Sequence, residues 1–219
     1  MLFATVNHGR QLPTPHARGS CPLCGAEVRA KCGEVLGWHW AHFSRADCDT
    51  WGEGESGWHR RWKHILAGPD PDSPHVEVAL RLPGACLPNE RRIDGTRHLG
   101  DVRHRADLLI RDVVIELQHS PISPAEIRER EDFYGRAAAR GMIWLFDGWR
   151  WSERIEVFPR ERIRFRDPPH ALAVCKAPVF IDLGYQGILR PYGDRRAETW
   201  SQRRFRLAYG VWREGDPQS

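Results

Sequence analysis

The residues with the clearest chemical content lie between Arg105 and Ser120, where two acids, Asp107 and Glu116, are set into apolar runs rich in β-branched side chains. The runs flank the pair Arg111-Asp112, which has the length of a two-residue hairpin turn. With that turn, Ile110 faces Val113, Leu109 faces Val114, Leu108 faces Ile115 and Asp107 faces Glu116. One face then carries Ala106, Leu108, Ile110, Val113, Ile115 and Leu117, all apolar; the other gathers Arg105, Asp107, Glu116 and Gln118 at the open end. Directly opposed residues stand roughly 4.5 to 5.5 Å apart, where like charges repel by a few kcal/mol at an effective dielectric of about 20. Two arrangements relieve that repulsion. A divalent cation such as magnesium takes its oxygen ligands from one or two carboxylates, or an arginine such as Arg105 neutralises the pair.

A second set of ligand-type residues lies near the amino terminus. Cys21 and Cys24 form a Cys-Pro-Leu-Cys knuckle whose thiolates can reach one ion, and His39 and His42 follow as His-Trp-Ala-His. Two thiolates and two imidazoles make a closed tetrahedral zinc set, which is structural because no position is left open for substrate. The alternative is a pair of packing thiols with surface histidines. Cys32 and Cys48 are alternate ligands, read in the first place as buried thiols.

These residues carry a resemblance. Arg105-Ala106-Asp107-Leu108, then Ile115 to Ser123, then Glu129 to Tyr134 resemble the nuclease core of the competence protein CoiA-like family, a branch of the PD-(D/E)XK nuclease superfamily. The Cys21 to His42 pattern is similar to the amino-terminal module of the same family, with Trp40 replacing a phenylalanine. The resemblance implies that Asp107 and Glu116 hold catalytic Mg2+ (or Mn2+), with Gln118 where the superfamily usually has lysine. It also implies DNA as partner, hydrolysis of its phosphodiester bonds, and an association with DNA uptake, recombination or repair proteins.

Further candidates follow from the elements around the hairpin. From Gly54 to Leu66 the pattern is helical, with Trp58, Trp62, Ile65 and Leu66 as a buried stripe. Glu55, His59 and Lys63 form a neighbouring ridge. Periodicity alone reads that ridge as solvated, whereas the resemblance turns all three toward the site and lets Lys63 stand in for the missing lysine. His75 to Leu82 alternates as a half-buried strand with Glu77 outward, and Gly84 to Gly100 reads as loop. Ser123, Pro124 and Glu126 write a helix start with a capping box, running to Arg140 and stopping at Gly141. Arg130 and Tyr134 lie one turn apart on it. They are either substrate-binding groups or a surface arginine beside a half-buried tyrosine. Met142 to Phe146 is an apolar strand.

The expected fold class is therefore α/β: a restriction-endonuclease-like core, a mixed sheet flanked by helices, over residues 51–152. A zinc module precedes it at 1–50 and a β-rich extension follows at 153–219. That extension has strands near Arg154–Phe158, Ile163–Arg166, Val179–Leu183 and Gly187–Pro191, and a closing helix over Thr199–Val211 that sets arginines beside Trp200, Phe205 and Tyr209.

Composition sets the frame. The 219 residues hold 33 Lys and Arg against 29 Asp and Glu, a net charge of +4 that fits a nucleic-acid partner without a strong basic excess. Six unevenly spaced cysteines suit metal ligation or free thiols better than a disulfide framework. No apolar run reaches membrane-spanning length and no secretory layout opens the chain, so the expected location is cytoplasmic. A different class of protein, a zinc-stabilised nucleic-acid-binding protein without catalysis, fits the same residues and gains from Gln118.

Overall fold

The Arg111-Asp112 pair has φ of 49° and 62°, the two left-handed residues of a type I′ turn, whose twist matches that of the strands it joins. The computed structural model describes residues 1–34, 37–43, 48–49, 51, 55–68, 70, 73–91, 97–158, 162–184, 187–192 and 204–208. At 84–91, 97–101, 157–158, 162–163, 191–192 and 204–208 it describes the backbone alone. The chain divides into two compact units, Met1–Glu116 with Phe133–Gly141, and Leu117–Asp132 with Met142–Ser219.

The first unit opens with a small antiparallel sheet of β1 (Ala4–Val6), β2 (Gly9–Gln11), β3 (Arg18–Ser20), β4 (Glu27–Lys31) and β5 (His39–His42), in the order β2-β1-β3-β4-β5. Its core is Ala4, Cys21, Leu23, Val28 and Trp40, with Cys48 packed at the margin. Helix α1 (Gly57–Ala67) follows, started by a capping box in which Ser56 accepts from the His59 N–H and the His59 ring accepts from the Ser56 N–H. Strands β6 (Val76–Arg91), β7 (Arg97–Ile110) and β8 (Val113–Gln118) then run antiparallel, β6 beside β7 and β7 beside β8. The hairpin register is the expected one: Ile110 faces Val113, Leu109 faces Val114 and Leu108 faces Ile115. On β6, Val76 faces Leu108 and Val78 faces Ala106, which brings Glu77 level with Asp107.

Three expectations need correction here. The loop expected over Gly84–Gly100 is largely strand, because β6 continues to Arg91 and β7 begins at Arg97, paired through two register shifts. On α1 the buried side is Trp62 with His59 and Lys63, each 3 % or less exposed, while Ile65 is exposed at 36 %. The polar ridge faces inward because acids on the sheet receive it. Glu77, read as outward and solvated, has a side chain only 5 % exposed.

Helix α2 (Pro124–Ala137) starts where its cap was read, with Ser123 Oγ accepting from the Glu126 N–H at 3.1 Å. The Glu126 carboxylate does not close the box but binds Arg130. Gly141, at φ 75°, ends the following turn.

The second unit contains β9 (Met142–Asp147), a 3-10 turn (Trp149–Arg154), the paired strands β10 (Ile155–Phe158) and β11 (Arg162–Phe165), and helix α3 (His170–Val174). Strands β12 (Val179–Asp182), β13 (Ile188–Tyr192) and β14 (Arg204–Ala208) complete it. β12 pairs in parallel with β9 and antiparallel with β13, and β13 pairs antiparallel with β14, so the sheet is mixed and the class is α/β. Four carboxy-terminal strands were legible. The closing helix is replaced, within the described residues, by β14, because Arg204-Phe205-Arg206-Leu207 alternates with the period of a strand. Trp200, Arg203 and Tyr209 lie outside the described residues. No helix is long and apolar enough to cross a membrane among the described residues.

Candidate functional site

In the first unit, α1 lays Lys63 over the carboxylates of β6 and β7. Its ammonium stands 3.0 Å from Glu55 Oε2, 3.1 Å from Asp107 Oδ1 and 3.4 Å from Glu77 Oε1, with a side chain only 4 % exposed. Burial disfavours the charge, but Asp107, Glu77 and Glu55 outweigh it and raise the lysine pKa. Glu77 also lies 3.7 Å from Arg105 Nε and accepts the Leu2 N–H at 2.8 and 2.9 Å. Burial raises its pKa, yet Lys63 and Arg105 together hold it down at about 2. The Glu77 backbone has φ 48°, a left-handed conformation that costs a non-glycine residue about 1–3 kcal/mol and clusters at functional sites.

Glu116 completes the row. It is 2 % exposed and its Oε1 accepts the Asp107 backbone N–H at 3.2 Å, which sets Glu116 against Asp107 across the hairpin. Asp107, at 22 %, is the more accessible acid beside Lys63. Lys63 stands 3.1 Å from Asp107, while the Arg105 side chain turns to Glu77 at 3.7 Å. Glu55 Oε1 is buried and makes no hydrogen bond.

The structure therefore gathers Glu55, Lys63, Arg105, Asp107 and Glu116, and adds Glu77. Glu55, Glu77 and Asp107 face Lys63, and Glu77 also faces Arg105, while burial depresses the pKa of the Met1 amino group near Glu77. Carboxylate oxygens are the ligand type that a hard divalent cation takes, and of these acids Asp107 is the most exposed, at 22 %. His59 is buried on the same helix and shares a hydrogen bond with Ser56 Oγ at 2.8 Å. Tyr134 is 1 % exposed and packs on Phe133 and Trp51. In the second unit, Gln118 is 2 % exposed and donates to the Ser120 carbonyl at 2.9 Å. Arg130 is held by Glu126 over the Trp144 ring. Glu77 is the member that sequence reasoning missed.

Asp49 fixes this region to the amino-terminal sheet. Its buried carboxylate accepts the Arg105 N–H at 2.8 Å and pairs with His104 Nδ1 at 2.9 Å, while Trp51 stacks on His104 with centroids 3.3 Å apart. Burial raises the Asp49 pKa, but His104 and the Arg105 amide more than reverse it.

Next to Asp49, the ligand atoms of Cys21, Cys24, His42 and Cys48 all lie within 4.8 Å of one another. Cys21 Sγ is 3.6 Å from Cys48 Sγ, and Cys24 Sγ is 3.4 Å from His42 Nε2. Zinc–sulfur bonds of about 2.3 Å and zinc–nitrogen bonds of about 2.0–2.1 Å in a tetrahedron give edges of roughly 3.5–3.8 Å, close to the Cys21–Cys48 and Cys24–His42 separations, so these four residues could hold zinc. Burial and the neighbouring thiols Cys24 and Cys21 push the Cys48 thiol up, the crowding that a cation relieves. His39 is corrected to Cys48 as the fourth ligand. Because 39–42 is a strand, His39 and His42, three apart, project to opposite faces; His39 instead pairs its ring with the Gly37 carbonyl at 2.9 Å.

Residues 15–50 match the family model of the competence protein CoiA N-terminal domain. No curated protein and no solved structure matches the chain. The matched stretch contains Cys21, Cys24, His42, Cys48 and Asp49, and stops before the carboxylate cluster.

Proposed function

We propose that this chain is a magnesium- or manganese-dependent nuclease that hydrolyses phosphodiester bonds in DNA in a competence-related role, with a PD-(D/E)XK-type core and a zinc-stabilised amino-terminal module. The observation that carries the reading is the convergence of Asp107, Glu77 and Glu55 on one buried lysine, with Glu116 beside Asp107 on the neighbouring strand. Asp107 and Glu116 would hold the cation. When bound there, it supplies positive charge against a scissile phosphate and lowers the pKa of a water. The chain's own residues do the positioning. Lys63 places a fixed ammonium beside the Asp107 carboxylate, where the superfamily's missing lysine would be needed to stabilise developing negative charge. Arg105, held by Glu77 and Asp49, adds a second cation.

The second reading, a zinc-stabilised nucleic-acid-binding protein without catalysis, is favoured by one observation: Lys63 already satisfies three of the acids. Purified protein incubated with linear, circular and branched DNA separates the two. The nuclease reading expects cleavage with magnesium or manganese and none with chelator, abolished by Asp107→Asn. Cleavage by Asp107→Asn at the wild-type rate would show that this cluster is not the active centre.

A further inference from the structure

The second unit holds a cavity of about 320 Å³ lined by the end of β8, the loop that follows it, the end of β9 and the start of α3. That volume is at the lower end for small-molecule sites, about 300–1,000 Å³. Its inner wall is apolar: Phe146 and Leu172 are buried at 3 % and 0 %, with Ile122 and Trp151 alongside. Polar groups stand around this slot. His119 Nδ1 lies 2.6 Å from Asp147 Oδ2, and the Asp147 Oδ1 accepts the Trp149 N–H at 3.0 Å. A carboxylate only accepts, so the imidazole proton sits on Nδ1 and the ring orientation is fixed, with Nε2 as its second polar atom. Arg150 and His170, both exposed, add further basic groups to the same lining.

An apolar slot beside an aromatic ring accepts a flat heterocycle, because a base stacks on such a ring. Arg150, His119 and His170 suit an anionic group attached to that heterocycle, since both Asp147 oxygens are engaged within the protein. The geometry points to a nucleotide pocket, with the base in the slot of Ile122, Trp151 and Leu172 and the phosphate against Arg150 and the two histidines. The choice of a nucleotide among flat anions rests on the proposed function; the pocket does not.

Calorimetric titration of the full chain with dAMP, dCMP, dGMP and dTMP, without added divalent metal, tests it. Inorganic phosphate and deoxyadenosine run in parallel. The monophosphates should bind, with phosphate alone and deoxyadenosine each weaker by about tenfold or more. Arg150→Ala should weaken the monophosphates by about tenfold and change deoxyadenosine little. Ala171→Trp, which fills the slot, should abolish both, and Ile122→Trp fills it from the other side if the first variant does not fold. Absence of monophosphate binding, phosphate binding as tight as any nucleotide, or undiminished binding in a folded slot-filling variant overturns the proposal. Nucleotide binding by a protein that cleaves no DNA leaves it standing, and cleavage without nucleotide binding overturns it alone.

Discussion

Replacing Lys63 with methionine keeps the apolar stem of the side chain and deletes the charge that Glu55, Glu77 and Asp107 share. The ammonium is almost wholly buried and within 3.4 Å of all three. Removing one partner of a buried ionic cluster leaves uncompensated charge and costs about 3–5 kcal/mol. The acid side of the same interaction gives a comparable figure. Glu77 is held at about 2 against an ordinary value of 4.5, a depression worth on the order of 3 kcal/mol. A carboxyl lowered in the folded state stabilises it at every pH above the ordinary value. The contribution is lost as pH falls from 4.5 towards about 2. The raised lysine pKa contributes at all pH values below its ordinary 10.5, so both effects are fully present near neutrality. Urea denaturation of Lys63→Met should therefore show a loss of about 3–5 kcal/mol at about pH 7.5. The loss should shrink toward about pH 5, where the stranded acids take up protons. Millimolar magnesium should restore part of it by supplying another cation. Equal denaturation midpoints for the two proteins at neutral pH, with the same dependence on pH, would refute the buried-cluster account.

Cys48→Ser should lower zinc content by elemental analysis and reduce the thermal midpoint, whereas His39→Ala should leave about one zinc per chain in place. Asp49→Asn removes the charged acceptor shared by His104 and the Arg105 amide and should cost about 1–3 kcal/mol in chemical denaturation. Gly148→Ala would drive its new methyl group into Ile181 Cγ2 and to 2.8 Å from the Asp182 carbonyl. It should destabilise the protein by about 1–3 kcal/mol, seen as a lower melting temperature.

The parts legible in the sequence are those fixed by neighbours along the chain. The Arg111-Asp112 turn dictates the facing of Leu108 and Ile115 through a hairpin closed by two residues. The Ser123 cap, the apolar β9 and the carboxy-terminal strands are written equally locally. What escaped depends on partners distant in the chain. Glu77 looks like any outward acid in an alternating strand until α1 is laid on that face with Lys63 pointing at it. The hydrophobic stripe on α1 misassigned its buried side for the same reason. Ligand spacing counted along the chain ranks His39 ahead of Cys48, which stands there only as an alternate. In a strand, the parity of positions 39 and 42 decides which imidazole faces the thiols.

The adjacency of Cys48 and Asp49 gives the metal module a thermodynamic reach beyond its own small core. Asp49 clasps the Arg105 amide and His104, and Arg105 in turn approaches Glu77. An ion that binds Cys48 only in the folded chain stabilises that fold by mass action, by about 2.7 kcal/mol at a hundredfold excess over its dissociation constant. Whatever fraction passes through Asp49 must be returned in the other direction, because coupling free energies are reciprocal. Occupation of the carboxylate cluster would then tighten the hold on zinc, and chelation of zinc would loosen the grip of the acids on their own cation. With both ions bound as proposed above, scarcity of one metal would show as diminished affinity for the other.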